Sequence, residues 1–160
     1  ELAIAQLHGT LKRNFQGYTT HAETELFGFG ATSISMLEDA YAQNHKELKD
    51  YYQAVAAGVI PISKGIQLTQ DDIIRRDIIM SIMSHFHLNK LEIEQKYHLD
   101  FNKYFCYELQ ELQPLENDGL VNVFTDEIHI TDIGRLLVRN IAVIFDDHTR
   151  TRETKFSRAI

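Results

Sequence analysis

Two short stretches hold the side chains best suited to meeting a ligand. Arg13-Asn14-Phe15-Gln16-Gly17-Tyr18 ends a strand-like run with polar groups and aromatic rings, and Gly28-Phe29-Gly30-Ala31-Thr32-Ser33-Ile34-Ser35 is small, glycine-punctuated and poor in charge. Glycine lets backbone approach a bound molecule closely. On spacing alone the second stretch is more often a bend inside a sheet than a ligand cradle. It is not a dinucleotide fingerprint, because the third glycine would fall at position 33, where Ser33 stands.

Other groups with chemical potential read less sharply. Arg75 and Arg76 lie three to four residues beyond Asp71 and Asp72, which suits either helical surface pairs or recognition of a substrate carboxylate. His85 and His87 are the closest pair among eight histidines. At a helix C-terminus they read as dipole partners or surface residues, with no third ligand at a useful spacing, so no metal site is expected. No Ser-His-Asp or Cys-His arrangement stands out, and Cys106 beside Phe105 reads as an inward-facing small hydrophobe.

The elements that must position these groups follow from periodicity. Residues 1–6 read as the tail of a helix stopped by Gly9, and 11–20 and 24–35 as extended segments. Residues 36–57 read as one long helix, with Leu37, Tyr41, Leu48, Tyr51, Tyr52 and Val55 on one face, ended by Gly58 and Pro61. Residues 59–68 then form a connector at a domain boundary. Thr69 caps the next helix, with Asp71 and Asp72 in its first turn and Ile73, Ile74, Ile78, Ile82, Met83 and Phe86 facing inward. Helices over 91–97 and 101–112 follow, the second broken by Pro114 and Asn117-Asp118-Gly119. A hairpin spans 120–131, and Thr131 caps a last helix with Ile133, Leu136, Leu137, Ile141 and Ile144 inward. The fold class is α+β, mostly helical. Residues 1–58 form a first region, 69–149 a winged-helix-like domain with a short β-hairpin, and 150–160 a basic tail.

At 160 residues with 44% hydrophobic content, the chain can build a substantial core. It has no apolar run near the ~18 residues of a membrane span and nothing resembling a signal peptide. A single cysteine excludes an intrachain disulfide framework. The net charge of −7 opposes a general nucleic-acid surface. The winged-helix order raises DNA binding, but Lys103 is the only base between Phe101 and Asp118, against Glu108, Glu111, Glu116 and Asp118. Phosphates would be repelled there.

Taken together, RNFQGYTT, ELFGFGATSIS, DAYAQN, IRRDIIM, NDGL, GRLLVRNIA and the terminal FSRAI closely resemble, in order and over essentially the whole chain, the C-terminal part of bacterial oxygen-independent coproporphyrinogen III oxidases. The resemblance implies a radical S-adenosylmethionine enzyme that oxidatively decarboxylates two propionates of coproporphyrinogen III to vinyls, giving protoporphyrinogen IX. It implies a 4Fe-4S cluster held by a CxxxCxxC-type set elsewhere in a longer chain, since Cys106 alone cannot supply three thiolates. This chain then reads as an excised part, inactive by itself, of a cytoplasmic and monomeric enzyme. Residues 1–58 would be the end of the radical-SAM barrel, with strands lacking their partners and therefore disordered, rearranged or paired between chains.

By the same resemblance Phe15, Gln16 and Ile34 line the site of a second S-adenosylmethionine. Gln16 supplies a donor and an acceptor, and Phe15 and Ile34 apolar surface. Gly30, Thr32 and Ser33 are their backbone neighbours. In the tail, Phe156 and Ile160 would dock on the core while Arg158 pairs with an acid. The competing class is a haem- or tetrapyrrole-binding relative without dehydrogenase activity.

Overall fold

The computed structural model describes residues 1–15, 17–21 and 24–151, without the side chains of Arg150 and Thr151. Gln16 and the expected docking residues Phe156, Arg158 and Ile160 lie outside the described residues. The chain divides into two compact units, Glu1–Ile73 and Ile74–Ile160, and its class is α+β.

The first unit opens with helix α1 (Leu2–Leu7), which Gly9 stops at φ 69°. Thr10 and Leu11 both donate backbone N–H groups to the Ala5 carbonyl, closing the helix end. Strands β1 (Lys12–Asn14) and β2 (Gly17–Thr19) then pair antiparallel, with Asn14 opposite Gly17. A second antiparallel sheet has the order β3-β4-β5, from Ile34–Met36, Ala40–Asn44 and Ile62–Gln67. Helix α2 (Leu48–Ala56) connects β4 to β5.

Three expectations change here. The long helix over 36–57 is only α2, because residues 40–44 have strand partners on both sides, whose ladder satisfies their backbone more completely than a helix lacking a cap at Met36 would. A turn closed by Leu37 N–H to the Ala40 carbonyl separates β3 from β4. The connector over 59–68 contains β5, which supplies one of those partners. The early strands therefore find partners within the chain, β1 and β2 in each other and β3 in β4.

The second unit is built on helix α3 (Gln70–His85), whose start is fixed by reciprocal bonds between Thr69 and Asp72. Strand β6 (His87–Asn89), helix α4 (Lys90–Tyr97), helix α5 (Phe101–Tyr104) and helix α6 (Cys106–Asn117) follow. Strands β7 (Val121–Val123) and β8 (Glu127–Ile130) complete a three-stranded sheet of order β6-β8-β7. Helix, strand, three helix segments (α5 and α6 running on from one another) and two strands in this order make a winged-helix-like topology, with β6 as the strand that hydropathy alone did not reveal. Side chains alternate across the sheet. Leu88, Ile128, Ile130 and Val121 enter the core, while His87, Asn89, Glu127 and His129 face outward.

The core gathers Ile74, Ile78 and Ile82 of α3, Phe101 of α5, Phe105, Leu112 of α6 and Phe145. Arg75 turns toward the core. Its guanidinium donates to Glu108 Oε1 at 2.8 Å and to the Phe145 carbonyl at 3.2 Å, and lies over the Phe105 ring. Glu108 is accordingly buried rather than part of an acidic surface. Cys106 is exposed, one residue beyond buried Phe105. Helix α6 runs through Pro114 to Asn117, whereas the sequence placed a break at that proline.

The final segment also differs from its expected stripe. Residues Gly134–Leu137 form a 3-10 turn before helix α7 (Val138–Ala142). The tighter winding shifts the facing positions. Ile133 and Leu136 point to solvent, while Ile141, Ala142 and Phe145 fill the core. Gly134 permits this close packing, since a Cβ there would lie 1.9 Å from the Leu120 carbonyl oxygen.

Candidate functional site

The ligand-suited residues of the first unit sit on and beside the β3-β4-β5 sheet. Register places Ile34 opposite Gln43 and Met36 opposite Tyr41. Tyr41 in turn lies opposite Ile66 of β5. Cross-strand partners share a face, so Ile34, Met36, Tyr41, Gln43 and Ile66 form one surface. Phe15 stands edge-on to Tyr41, ring centroids 5.5 Å apart, and thus joins that surface from the β1-β2 hairpin. Its ring is 51% exposed, and Ile34 is half-buried. The sheet therefore brings Phe15 and Ile34 to one face although 18 intervening residues separate them in sequence.

The glycine-bearing loop packs against the same strands. Asn44, buried, donates its side-chain amide to the carbonyls of Gly28 and Gly30 at 3.2 and 2.9 Å. The Gly28 N–H donates to Ser35 Oγ, and the Gly30 N–H to the Tyr51 hydroxyl on α2. A Cβ on Gly28 would come 2.9 Å from the Ile34 carbonyl oxygen, so glycine there serves backbone approach to β3. Thr32 sits at φ 67°, a costly conformation for a β-branched residue. Its N–H bonds the His45 carbonyl and its own carbonyl accepts from Gln43, which holds the strained position. The loop is at once a bend and a fixed wall, with Phe29 at its tip 90% exposed.

A further constellation in the second unit escaped sequence reasoning. Spacing coupled His87 with His85, but the sheet sets His87 opposite His129, with Glu127 two residues before His129 on the same outward face. Contacts with His129 first and His87 second hold the Glu127 carboxyl below the usual carboxylate range. The legible signal was Glu127-x-His129 on a strand, since alternate strand residues share a face. Its partner on β6 came only from pairing.

Residues 68–137 match the model of the HemN C-terminal domain. The whole chain is similar to oxygen-independent coproporphyrinogen III oxidases, 53% identical to that of Synechocystis sp. and 50% identical to that of Escherichia coli. It aligns over 100% of its own length with both, but spans only 36% and 35% of theirs. The solved structure of coproporphyrinogen III oxidase (HemN) from Escherichia coli, described as a radical SAM enzyme, matches with a TM-score of 0.90 and 51% identity over 92% of this chain and 34% of that one. No helix among the described residues is long and apolar enough to cross a membrane.

Proposed function

We propose that this chain is the C-terminal part of an oxygen-independent coproporphyrinogen III oxidase, acting in porphyrin and haem biosynthesis in the cytoplasm. End-to-end similarity at about half identity carries the reading. The substrate is coproporphyrinogen III, and the product protoporphyrinogen IX. The residues present do not fit the 4Fe-4S cluster: Cys106 is the one cysteine, and three thiolates are needed. The cluster thus belongs to another part of the full-length enzyme, and no step here runs through it.

The face formed by Phe15, Ile34, Tyr41 and Ile66 does fit S-adenosylmethionine. It offers a half-exposed aromatic edge and aliphatic surface to a flat base, backed by a loop whose backbone is already fixed by Asn44. S-adenosylmethionine supplies radical chemistry to such enzymes when bound. Phe15 and Ile34 pack against its apolar surface, Gln16 hydrogen-bonds its polar groups, and together they orient it and exclude water. The exposed apolar residues of the first unit are then covered by the preceding barrel.

The test uses the full-length, anaerobically reconstituted enzyme, comparing wild type with Phe15→Ala, Gln16→Ala and Ile34→Ala. Each variant is expected to keep its iron content and lose protoporphyrinogen IX formation by roughly tenfold or more, the loss of about 1.4 kcal/mol of binding. Wild type that binds haem and forms no product would replace the oxidase reading with a tetrapyrrole-binding one.

A further inference from the structure

Outward from the wing sheet, two imidazoles and a carboxylate converge. His87 Nε2 lies 3.0 Å from Glu127 Oε2, and His129 Nε2 lies 3.0 Å from the same oxygen. His129 Nε2 is shielded from solvent and is not aligned to form a hydrogen bond with that oxygen. The three ligand atoms all fall within 4.8 Å of one another. Around a tetrahedral ion with bonds of about 2.0–2.1 Å, donor atoms stand roughly 3.4 Å apart. Small side-chain rotations would therefore place all three donors on one ion, without moving backbone.

The surroundings hold these groups in place. His87 and His129 are register partners whose rings meet edge-on at 4.6 Å. Phe124 stands edge-on to His129 at 5.5 Å. Ser81 Oγ donates to the His87 carbonyl, fixing the start of β6 to α3. The side chains remain 39 to 45% exposed, so an ion has an entry path and a position open to water.

We propose that His87, Glu127 and His129 form a binding site for one zinc-type divalent ion on the outer face of the wing sheet. Two neutral imidazoles with one carboxylate suit zinc, which takes nitrogen and oxygen donors in a four-coordinate shell. Calcium and magnesium prefer sets made wholly of oxygen. A bound ion would join β6 to β8. Water, or a donor from a substrate or partner, would complete the shell.

The test starts from protein stripped with a chelator and titrated with zinc at neutral pH against a chromophoric competitor. One zinc per chain is expected, with affinity about a hundredfold weaker in His129→Gln and in Glu127→Gln, and unchanged in His8→Gln. Zinc should raise the melting temperature of wild type but not of the two site variants. In wild type, imidazole NMR signals of His87 and His129 should shift together and saturate at one equivalent, while those of His8 and His98 stay fixed. This second readout holds even if a variant folds poorly. Zinc binding that is absent in wild type, equal in the site variants, or centred on other histidines would overturn the site.

Discussion

The two units use similar fractions of apolar sequence in opposite ways. In the second, residues from α3, α5, α6, the wing and the final turns enclose a common core in which Phe101, Phe105 and Phe145 are fully buried. In the first, Ala5 and Leu11 are the only buried apolar side chains among the described residues, while Phe15, Phe27, Phe29, Leu48, Tyr52 and Ile60 are exposed. Hydrogen bonding rather than burial holds the first unit's loop, through Asn44, Ser35 and Tyr51. Strands can thus be joined by their hydrogen-bond ladders while much of their unit's apolar surface stays exposed. The second unit has the anatomy of a self-sufficient fold.

The sharpest way to break this contrast is Phe105→Ala, which removes a ring packed on Phe101, Tyr104 and Phe145. It should cost about 4 kcal/mol of second-unit stability, read by denaturant melting. Glu108→Gln should cost about 3 kcal/mol by removing the carboxylate charge that Arg75 meets at 2.8 Å in the core. Were that variant as stable as wild type, the pair would not be part of the core's support.

A smaller effect belongs to the first unit. Asn44→Ala strips hydrogen bonds from two glycine carbonyls, and about 1–2 kcal/mol of local opening energy should disappear from amide exchange at 28–35. Exchange unchanged there would mean that the loop is held otherwise.

Alkaline titration bears on the second unit. Burial first, and the hydrogen bond to Asp77 second, push the Tyr97 hydroxyl up to about 12 from an ordinary 10.0. The unfolded chain loses this proton first, so second-unit stability should fall as pH rises from 10 toward 12. Lys96, whose pKa is raised mainly by its own bond to Asp77, adds to the same decline above its ordinary 10.5. Asp77→Asn should flatten that slope. The smallest change is expected for Phe29→Ala, under about 0.5 kcal/mol in this chain because the ring is solvated. A larger cost in a full-length oxidase, on the reading proposed above, would show that another segment covers the ring there.

Much of the second unit could be read directly from local patterns. Ile74, Ile78 and Ile82 recur at four-residue spacing, so the buried face of α3 follows from the helical repeat itself. Asn89 and Asp100 cap α4 and α5 by accepting from Glu92 and Lys103 N–H groups, a short-range chemistry visible in sequence. Residues 36–44 were misread because Leu37 and Tyr41 also satisfy a helical repeat, and only the arrival of β5 decides for strand. The outward turn of Leu136 was equally hidden, because it depends on the close seat of Gly134 against Leu120.

For the candidate sites the division is similar. Sequence alone determined which residue types were available: the aromatic and amide of Phe15-Gln16, the glycine loop, and the single cysteine that rules out a cluster within this chain. Tertiary structure alone decided which of them meet. Strand pairing carried Phe15 and Ile34 to one face, set His87 across from His129, and drew Arg75 inward to Glu108. The physical reason is that side-chain chemistry is local to each residue, whereas convergence depends on backbone hydrogen bonds between segments far apart in the chain, whose register no local pattern specifies.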